Sequence, residues 1–368
     1  MKTVRRLFYR EVFIAVVLVT LGFIGLFYFF DFIDELQNLG RLSAVGYQVP
    51  QALLYVAFMI PSHVYELLPI TVLIGTIFVM ARLAQSSEFT ILRTSGLGPW
   101  RALRTLTSLG ALFVVLTFAV GDYVAPWADR TAKLLKSKYQ GNVTVGKTGA
   151  WLKEKQESGQ FAVNVGALAP DASMRDVRIY EFDPRGTLVS MTLAKKARFA
   201  SDGAWQLEQV EKTNFSVAES SPSQVHRSMV DSLRWPTGVS AEMVATAILR
   251  PERMGTLDLF QYIQHLSANG QSTQKYEIQF WKKVFYPLSC LVMVVLALPF
   301  AYLHFRSGGI TTYVFGGVMA GISFVLLNNV LGDLGALRGW LPWVTAALPG
   351  LIYSLVSLGA FTWLVIRR

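Results

Sequence analysis

The stretch Arg82–Arg104, RLAQSSEFTILRTSGLGPWRALR, carries four arginines against one glutamate and separates two long apolar runs. It is too polar to cross a bilayer, so it belongs at a membrane surface, and its side of the membrane fixes the side of everything else. The chain around it has 368 residues, 52% hydrophobic and 16% charged, with a mean hydropathy of +0.40. That balance is unlike an ordinary soluble domain and marks a membrane protein. The sole cysteine, Cys290, sits inside an apolar run. It excludes an internal disulfide framework and reads as a small buried apolar residue.

About 20 apolar residues span a bilayer as helix, and six runs qualify: Val12–Phe30, Leu53–Met80, Leu103–Val124, Val284–Leu303, Ile310–Leu331 and Leu341–Ile366. The first follows Lys2, Arg5, Arg6 and Arg10 but is too long for a signal peptide and lacks a small-residue cleavage site, so it is expected to stay attached. Pro61 and Pro69, with His63 and Glu66 between them, predict a kinked or two-part second span. Basic residues collect before the first span, in Arg82–Arg104, beside Arg306 and at Arg367 and Arg368. With six crossings all of these share one side, which the positive-inside rule makes cytoplasmic together with both termini. The long interval after the third span is then expected in the opposite compartment.

That interval changes character. QFAVNVGAL, VRIYEF, TLVSMTLAKKARFA and AWQLEQVEKTNFS alternate apolar and polar residues, with DPRG and SDG as turns, which predicts antiparallel strands in a sandwich or jelly-roll. Residues 141–260 hold equal numbers of basic and acidic side chains, so the formal charge of +10 lies entirely in the membrane part. That excess serves topology first and anionic ligands second; nucleic acid need not be invoked.

Gly141–Thr148, GNVTVGKT, fits the phosphate-cradling pattern G-x-x-x-x-G-K-[ST], but the pattern needs a strand before it and a helix after it. Here a polar helix precedes, a strand follows, and topology places it away from ATP. A glycine-rich turn entering the β region is the simpler reading. His63, His226, His265 and His304 are scattered, and neither H-E-x-x-H nor G-x-S-x-G occurs, so no enzyme, cofactor or resident metal is expected.

Within Arg82–Arg104, Ser86 and Ser87 suit a helix N-cap, Glu88 a first turn, and Gly96 a left-handed stop, which gives a short helix over residues 84–96. Phe89 and Leu92 share a face. Two readings stand for this helix: a lever that docks into a separate ATPase, or an amphipathic helix lying on lipid headgroups.

Four longer segments, ARLAQSSEFTILRTSG, DYVAP, PERMGTLDLFQYIQHLSANGQ and FWKKVFYPLSCLVMVVLALPFA, occur in an order that resembles the YjgP/YjgQ (LptF/LptG) permease family over essentially the whole chain. The resemblance implies an α-helical membrane protein with six transmembrane helices and an all-β periplasmic jelly-roll inserted between helices 3 and 4. Helices 1–3 would fill residues 1–125, the inserted domain 126–280, and helices 4–6 281–368. It implies a heterodimer with LptF, a dimer of the cytosolic ATPase LptB, periplasmic contact with LptC and LptA, and lipopolysaccharide as substrate in the bacterial inner membrane. Residues 84–96 then resemble a coupling helix in a groove of LptB, with Glu88, Phe89, Leu92 and Arg93 as contacts. Basic residues matching Lys133 and Lys136 occur in the family. With Arg130, Lys282 and Lys283 they are the candidates for the lipid's phosphates, snorkelling to headgroups being the alternative for each.

The chain also departs from its relatives. Asp31, Gln37, Asn38 and Ser62 stand where lysines can occur, so the charge has moved to the third and fourth spans, a divalent ion bridges Asp31 to phosphate, or the substrate is less anionic. The first and fifth spans would form lateral gates, with Phe27 and Phe30 on the first. Gly317 and Gly321 on the fifth make a G-x-x-x-G, read equally as a gate surface or as close packing on a neighbour. A tether that only binds periplasmic partners is the competing class, and a nucleotidase built on Gly141–Thr148 the third.

Overall fold

The computed structural model describes residues 2–43, 46–86, 88, 91, 94, 98–140, 143–144, 149–156, 159–169, 173–200, 203–216, 224–239, 243–244, 251–302 and 310–366. Two compact units emerge. The first comprises residues 1–35, 56–129 and 274–368, the second 36–55 and 130–273.

Among the described residues, six helices are long and apolar enough to cross a membrane. Helix α1 is Lys2–Leu42 and α2 Val49–Gln85. Helix α3, Pro99–Ala119, passes through a π-turn at Val120–Val124 into α4, Ala125–Gln140. The fourth span is built from α6, Gln274–Phe285, and α7, Ser289–Ala297, with 3-10 turns at Tyr286–Leu288 and Leu298–Tyr302 where Pro287 and Pro299 interrupt it. Before it lies α5, Thr256–Ala268. Helices α8, Ile310–Arg338, and α9, Pro342–Ile366, complete the set.

The second span is apolar on every side, which is how a helix reads when neighbours surround it. In its most apolar window 83% of residues are buried, against 17% for α1 and for α8. Val72, Val79, Met80 and Leu83 of α2 join Phe8 and Val12 of α1, Leu106, Leu109 and Phe113 of α3, Val294 of α7 and Phe361 of α9 in one core. A second cluster sets Leu73 and Ile77 of α2 against Met293 and Phe324. Of the kinked or two-part span expected from Pro61 and Pro69, the two-part form is excluded, since α2 runs unbroken through both prolines. Prolines are tolerated in membrane helices when neighbouring groups support the backbone; the carbonyls that lose their helical donor are those of Ala57 and Tyr65, four residues before each proline, and the Tyr286 hydroxyl donates to the adjacent Glu66 carbonyl at 2.7 Å.

Contacts in this unit tie one set of helix ends together. Arg82 of α2 donates to Glu11 of α1 at 2.5 Å, Tyr9 hydrogen-bonds Ser108, and Trp100 meets the Phe361 ring at 5.7 Å. The start of α1, the end of α2, the start of α3 and the end of α9 therefore share one end of the bundle. At the other end Phe58 meets Trp127, and Gln274 donates to the Trp340 carbonyl at 2.6 Å. Exposed Trp100 and Trp363 at the first end, and Tyr123 and Trp127 at the second, suit the two membrane–water boundaries.

Among the described residues the second unit holds seven strands: β1 Val143–Thr144, β2 Ala150–Gln156, β3 Gly159–Leu168, β4 Met174–Phe182, β5 Leu188–Phe199, β6 Ala204–Ser216 and β7 Gln224–Pro236. Each pairs antiparallel, β1 and β2 both lie along β3, and β3 to β7 follow in chain order. The jelly-roll is thus one sheet folded on itself as a meander. Its turns come from the residues expected: Asp183 Oδ1 accepts from the N–H of Arg185 and of Thr187, with Gly186 at φ +84°, and Gly203 at φ +77° closes the next.

A crease makes the folding possible. The paired registers skip Gly166, Asp176, Lys195, Gln209 and Asp231, which occupy one row across β3 to β7. Asp176 and Gln209 there have φ +53°, the left-handed region. The kink shifts the inward phase by one residue, so Met174 and Val177, and likewise Leu207 and Val210, are all buried. Such irregularities bend a sheet, and its early and late strands meet. The Phe161 and Trp235 rings lie 5.8 Å apart, and Gln156 Nε2 donates to the Pro236 carbonyl at 3.0 Å. Buried Glu154 accepts from Thr237 Oγ1 at 2.5 Å and from the Gly238 N–H at 2.6 Å.

Removing that carboxylate strands two donors. Glu154→Ala is expected to cost about 1–3 kcal/mol, seen as a lower thermal unfolding midpoint in detergent, whereas Lys153→Ala on the exposed face of the same strand should leave it within about 0.5 kcal/mol.

Candidate functional site

Three surfaces answer to the residues singled out in the sequence. The first follows α2. Ser86 does not cap a new helix: its N–H donates to the Arg82 carbonyl at 3.0 Å and its hydroxyl to that of Leu83, so it finishes α2. Glu88, Ile91 and Thr94 are helical and exposed. Their spacing of three puts them on one side of a helix turn. Phe89, Leu92 and Arg93 lie outside the described residues, as do Ser87 and Gly96. Ile91 was missed in the sequence, since the apolar face there was assigned to Phe89 and Leu92. At 62% exposure it is a large apolar side chain next to a carboxylate, a pairing suited to a protein partner.

The second surface is basic. Arg130, Lys133 and Lys136 follow one another at spacings of three along α4. Arg130 pairs with Asp258 in the first turn of α5, where the same carboxylate accepts from the Gly255 N–H at 3.3 Å. Lys136 Nζ stands 4.5 Å from the Tyr55 ring centroid, a cation–π contact. On α6, Lys282 lies across Gly332 of α8. Lys283 turns the other way, is only 8% exposed, and donates to the Gly121 carbonyl at 2.9 Å. The two lysines that open the fourth span thus reach different neighbours, and Lys283 is engaged inside the bundle.

The third surface is formed by the least covered spans. Along α8 the residues Phe315, Met319, Ile322, Leu326 and Val330 form an exposed apolar stripe. Gly317 and Gly321 face inward instead, onto α2: a Cβ on Gly317 would come within 2.6 Å of Ile77, and one on Gly321 within 2.8 Å of Ile70. The G-x-x-x-G is the seat of close packing within the chain. On α1, Phe30 is exposed and meets Phe29 edge-on, while Phe27 lies 5.1 Å from the His63 ring. His63 Nε2 is 2.6 Å from Asp31 Oδ2, a partly buried pair joining α1 to α2. Asp31 therefore already has a partner, which weighs against the ion bridge considered for it. Among the described residues no group of three His, Cys, Asp or Glu side chains gathers as metal ligands do.

Of Gly141–Thr148, Val143 and Thr144 are described, and they form β1 against Ala167 and Leu168. A strand occupies the place where phosphate binding needs a loop.

A profile of the family "Lipopolysaccharide export system permease LptF/LptG" matches residues 6–366. The chain belongs to the LptF/LptG family. Its relatives include the lipopolysaccharide export system permease protein LptG of Escherichia coli strain K12, 26% identical over 362 residues, 98% of this chain and 96% of that protein. The LptG of Haemophilus influenzae strain ATCC 51907 is 26% identical over 348 residues, 94% and 93% of the two chains. The match takes in all six spans and the inserted sheet, so this is a multi-pass inner-membrane permease subunit of lipopolysaccharide export.

Within this family architecture the inward glycines of α8 should be structural. Gly317→Val forces Ile77 to move and is expected to cost about 1–3 kcal/mol, the range for overpacking. Gly316→Val on the same helix meets open space and should be nearly silent in thermal unfolding.

Proposed function

We propose that the chain is the LptG-type half of the exporter, paired with LptF and driven by a dimer of the ATPase LptB. A residence as LptF in the same complex is the near alternative. The observation that carries the proposal is the exposed Glu88–Ile91–Thr94 face, set between the α2 and α3 ends that Glu11, Arg82 and Tyr9 fix to the first span. A charge beside an apolar anchor on a short helix is the form of a mechanical coupling contact, and the proposed site of ATP hydrolysis is a separate subunit. The termini and this helix are cytoplasmic in the reading, with the sheet periplasmic.

The exposed faces of α1 and α8 serve as the sides toward LptF, between which lipopolysaccharide enters from the outer leaflet. Phe30 and the stripe Phe315–Val330 line those sides, and the inward Gly317 and Gly321 give α8 its firm backing on α2. The phosphates are taken by the α4 cations, Lys133 and Lys136 foremost, with Arg130 exchanging Asp258 for substrate; Lys282 lies at the start of the fourth span and Lys283 is committed to the bundle. ATP-driven movement of the coupling helix narrows the cavity between the two permease chains and passes lipid to the folded sheet, toward LptC and LptA. A tether for periplasmic partners is the second reading, and it gives no reason for an ATPase to bind.

The test is reconstitution with LptF and LptB. Glu88→Lys and Ile91→Glu should each lower lipopolysaccharide release at least tenfold, because a desolvated charge pair can be worth several kcal/mol; normal assembly and release in both would end the coupling proposal. In the same vesicles, neutralising Arg130, Lys133 and Lys136 together should reduce photo-crosslinking to lipopolysaccharide more than Arg41→Ala does. Unchanged ATPase and release in Lys147→Ala is expected from the strand at Val143–Thr144.

A further inference from the structure

Two of the motifs that stood out in the sequence, DYVAP closing the third span and FWKKVFYPLSC in the fourth, have no part in the proposed transport steps. The structure joins them. In the π-turn Val120–Val124 the Ala125 N–H donates to the Val120 carbonyl, five residues back rather than four. The Gly121 carbonyl thereby loses the donor that an α-helix would give it. The donor that π spacing would offer belongs to residue 126, which is Pro126 and has no N–H. Inside a membrane span a bare carbonyl is strongly unfavourable. Lys283 meets the need: its Nζ donates to the Gly121 carbonyl at 2.9 Å, and it lies 5.6 Å from the centroid of the Tyr65 ring.

The neighbours are packed closely around this arrangement. The Tyr65 ring fills the space that a Cβ at position 121 would occupy, so residue 121 is glycine by contact rather than by backbone conformation. Tyr65 packs on Tyr286 at 5.2 Å, and Tyr286 opens the 3-10 turn that interrupts the fourth span. Breaks in the third and fourth spans thus meet through Lys283, Tyr65 and Tyr286.

The α register has its own defect, since Pro126 would there leave the Asp122 carbonyl, four residues back, without a backbone donor and crowd it with the proline ring. Either register strands one carbonyl, and Pro126 brings the two close in energy. The ammonium then decides between them. We propose that Val120–Val124 is a two-register switch in the third span, latched in its π form by Lys283. Release to the α form would turn α4 by about 100° against α3 and shift it by about 1.5 Å, one residue's rotation and rise. Helix α4 is the segment by which the chain leaves the spans for the inserted sheet, so the switch sits where movement of the spans would be passed on. Lys283 is a positioning residue, and its ammonium is engaged by the Gly121 carbonyl rather than by phosphate.

The reporter is Phe58 of α2 against Trp127, just past the turn, with ring centroids 6.2 Å apart. Phe58→Cys with Trp127→Cys, in a Cys290→Ser background, is treated in native membranes with a short thiol–thiol crosslinker. The latched chain should crosslink, and Lys283→Arg should stay within about twofold of it. Lys283→Met should lose at least fivefold at equal chain level in the membrane, and a parent-like yield there overturns the latch. Pro126→Ala, a mild change within a helix, restores an N–H that either register can use but removes the ring crowding that only the α register suffers, so it favours the α register and should lower the yield with Lys283 in place. It keeps the test decisive where Lys283→Met fails to insert: a parent-like yield in Pro126→Ala overturns the two-register claim. The crosslink needs neither ATP nor lipopolysaccharide, so its failure and the failure of the exporter reading are separate results.

Discussion

No backbone polar group can be left bare inside a bilayer, and this constraint organises the membrane unit. The chain places prolines at 61, 69, 126, 287, 299 and 349 within or beside its spans, and each removes a donor. Where the structure shows the repair, a side chain from another span makes it. Lys283 reaches Gly121 ahead of Pro126, and in α2 Tyr286 adds a bond to Glu66, one residue past the carbonyl that Pro69 deprives. Gln274 similarly donates to the Trp340 carbonyl past the end of α8. Irregular helices are thus held by specific partners, which makes their irregularity a defined geometry and available as a mechanism.

The same constraint explains why the bundle is lopsided. With α2 enclosed by α1, α3, α7, α8 and α9 through its core contacts, the remaining apolar surface lies mainly on α1 and α8. Lipid satisfies such surface without cost, and so does another permease chain. What the inward glycines of α8 add is stiffness: a helix backed at van der Waals distance by Ile70 and Ile77 presents its outer stripe as a fixed wall. The inserted sheet solves a different problem, closing on itself by a crease and by the buried Glu154 so that its early and late strands cover each other.

Much of this was legible in the sequence because it rests on periodicity. Six apolar runs gave six spans, and alternation in QFAVNVGAL or AWQLEQVEKTNFS gave β3 and β6. Strand β7 was not read, since it is largely exposed along its length and skips phase at Asp231, leaving little apolar alternation to see. The crease was equally silent: Asp176 and Gln209 are ordinary residues whose left-handed backbone is set by their row in the sheet. Contacts across the chain were beyond reach altogether. Nothing local marks Asp31 for His63, 32 residues away, or separates Lys283 from Lys282 beside it, although one is buried against a carbonyl and the other lies over Gly332. At Glu88 the residue type pointed to a contact, but the choice between Phe89, Leu92 and Ile91 as its apolar companion depends on the roll of a short helix.

The central claim is that this chain converts the work of a separate ATPase into movement of lipid. The most direct measurement is ATP-dependent release of lipopolysaccharide from vesicles that contain this chain, LptF and LptB, compared with vesicles lacking only this chain. The account predicts release that needs ATP and is abolished without the chain, with ATP hydrolysis stimulated by lipopolysaccharide in the full set alone. Stable association with periplasmic partners but equal hydrolysis and no release in both vesicle types would contradict it and leave the tether.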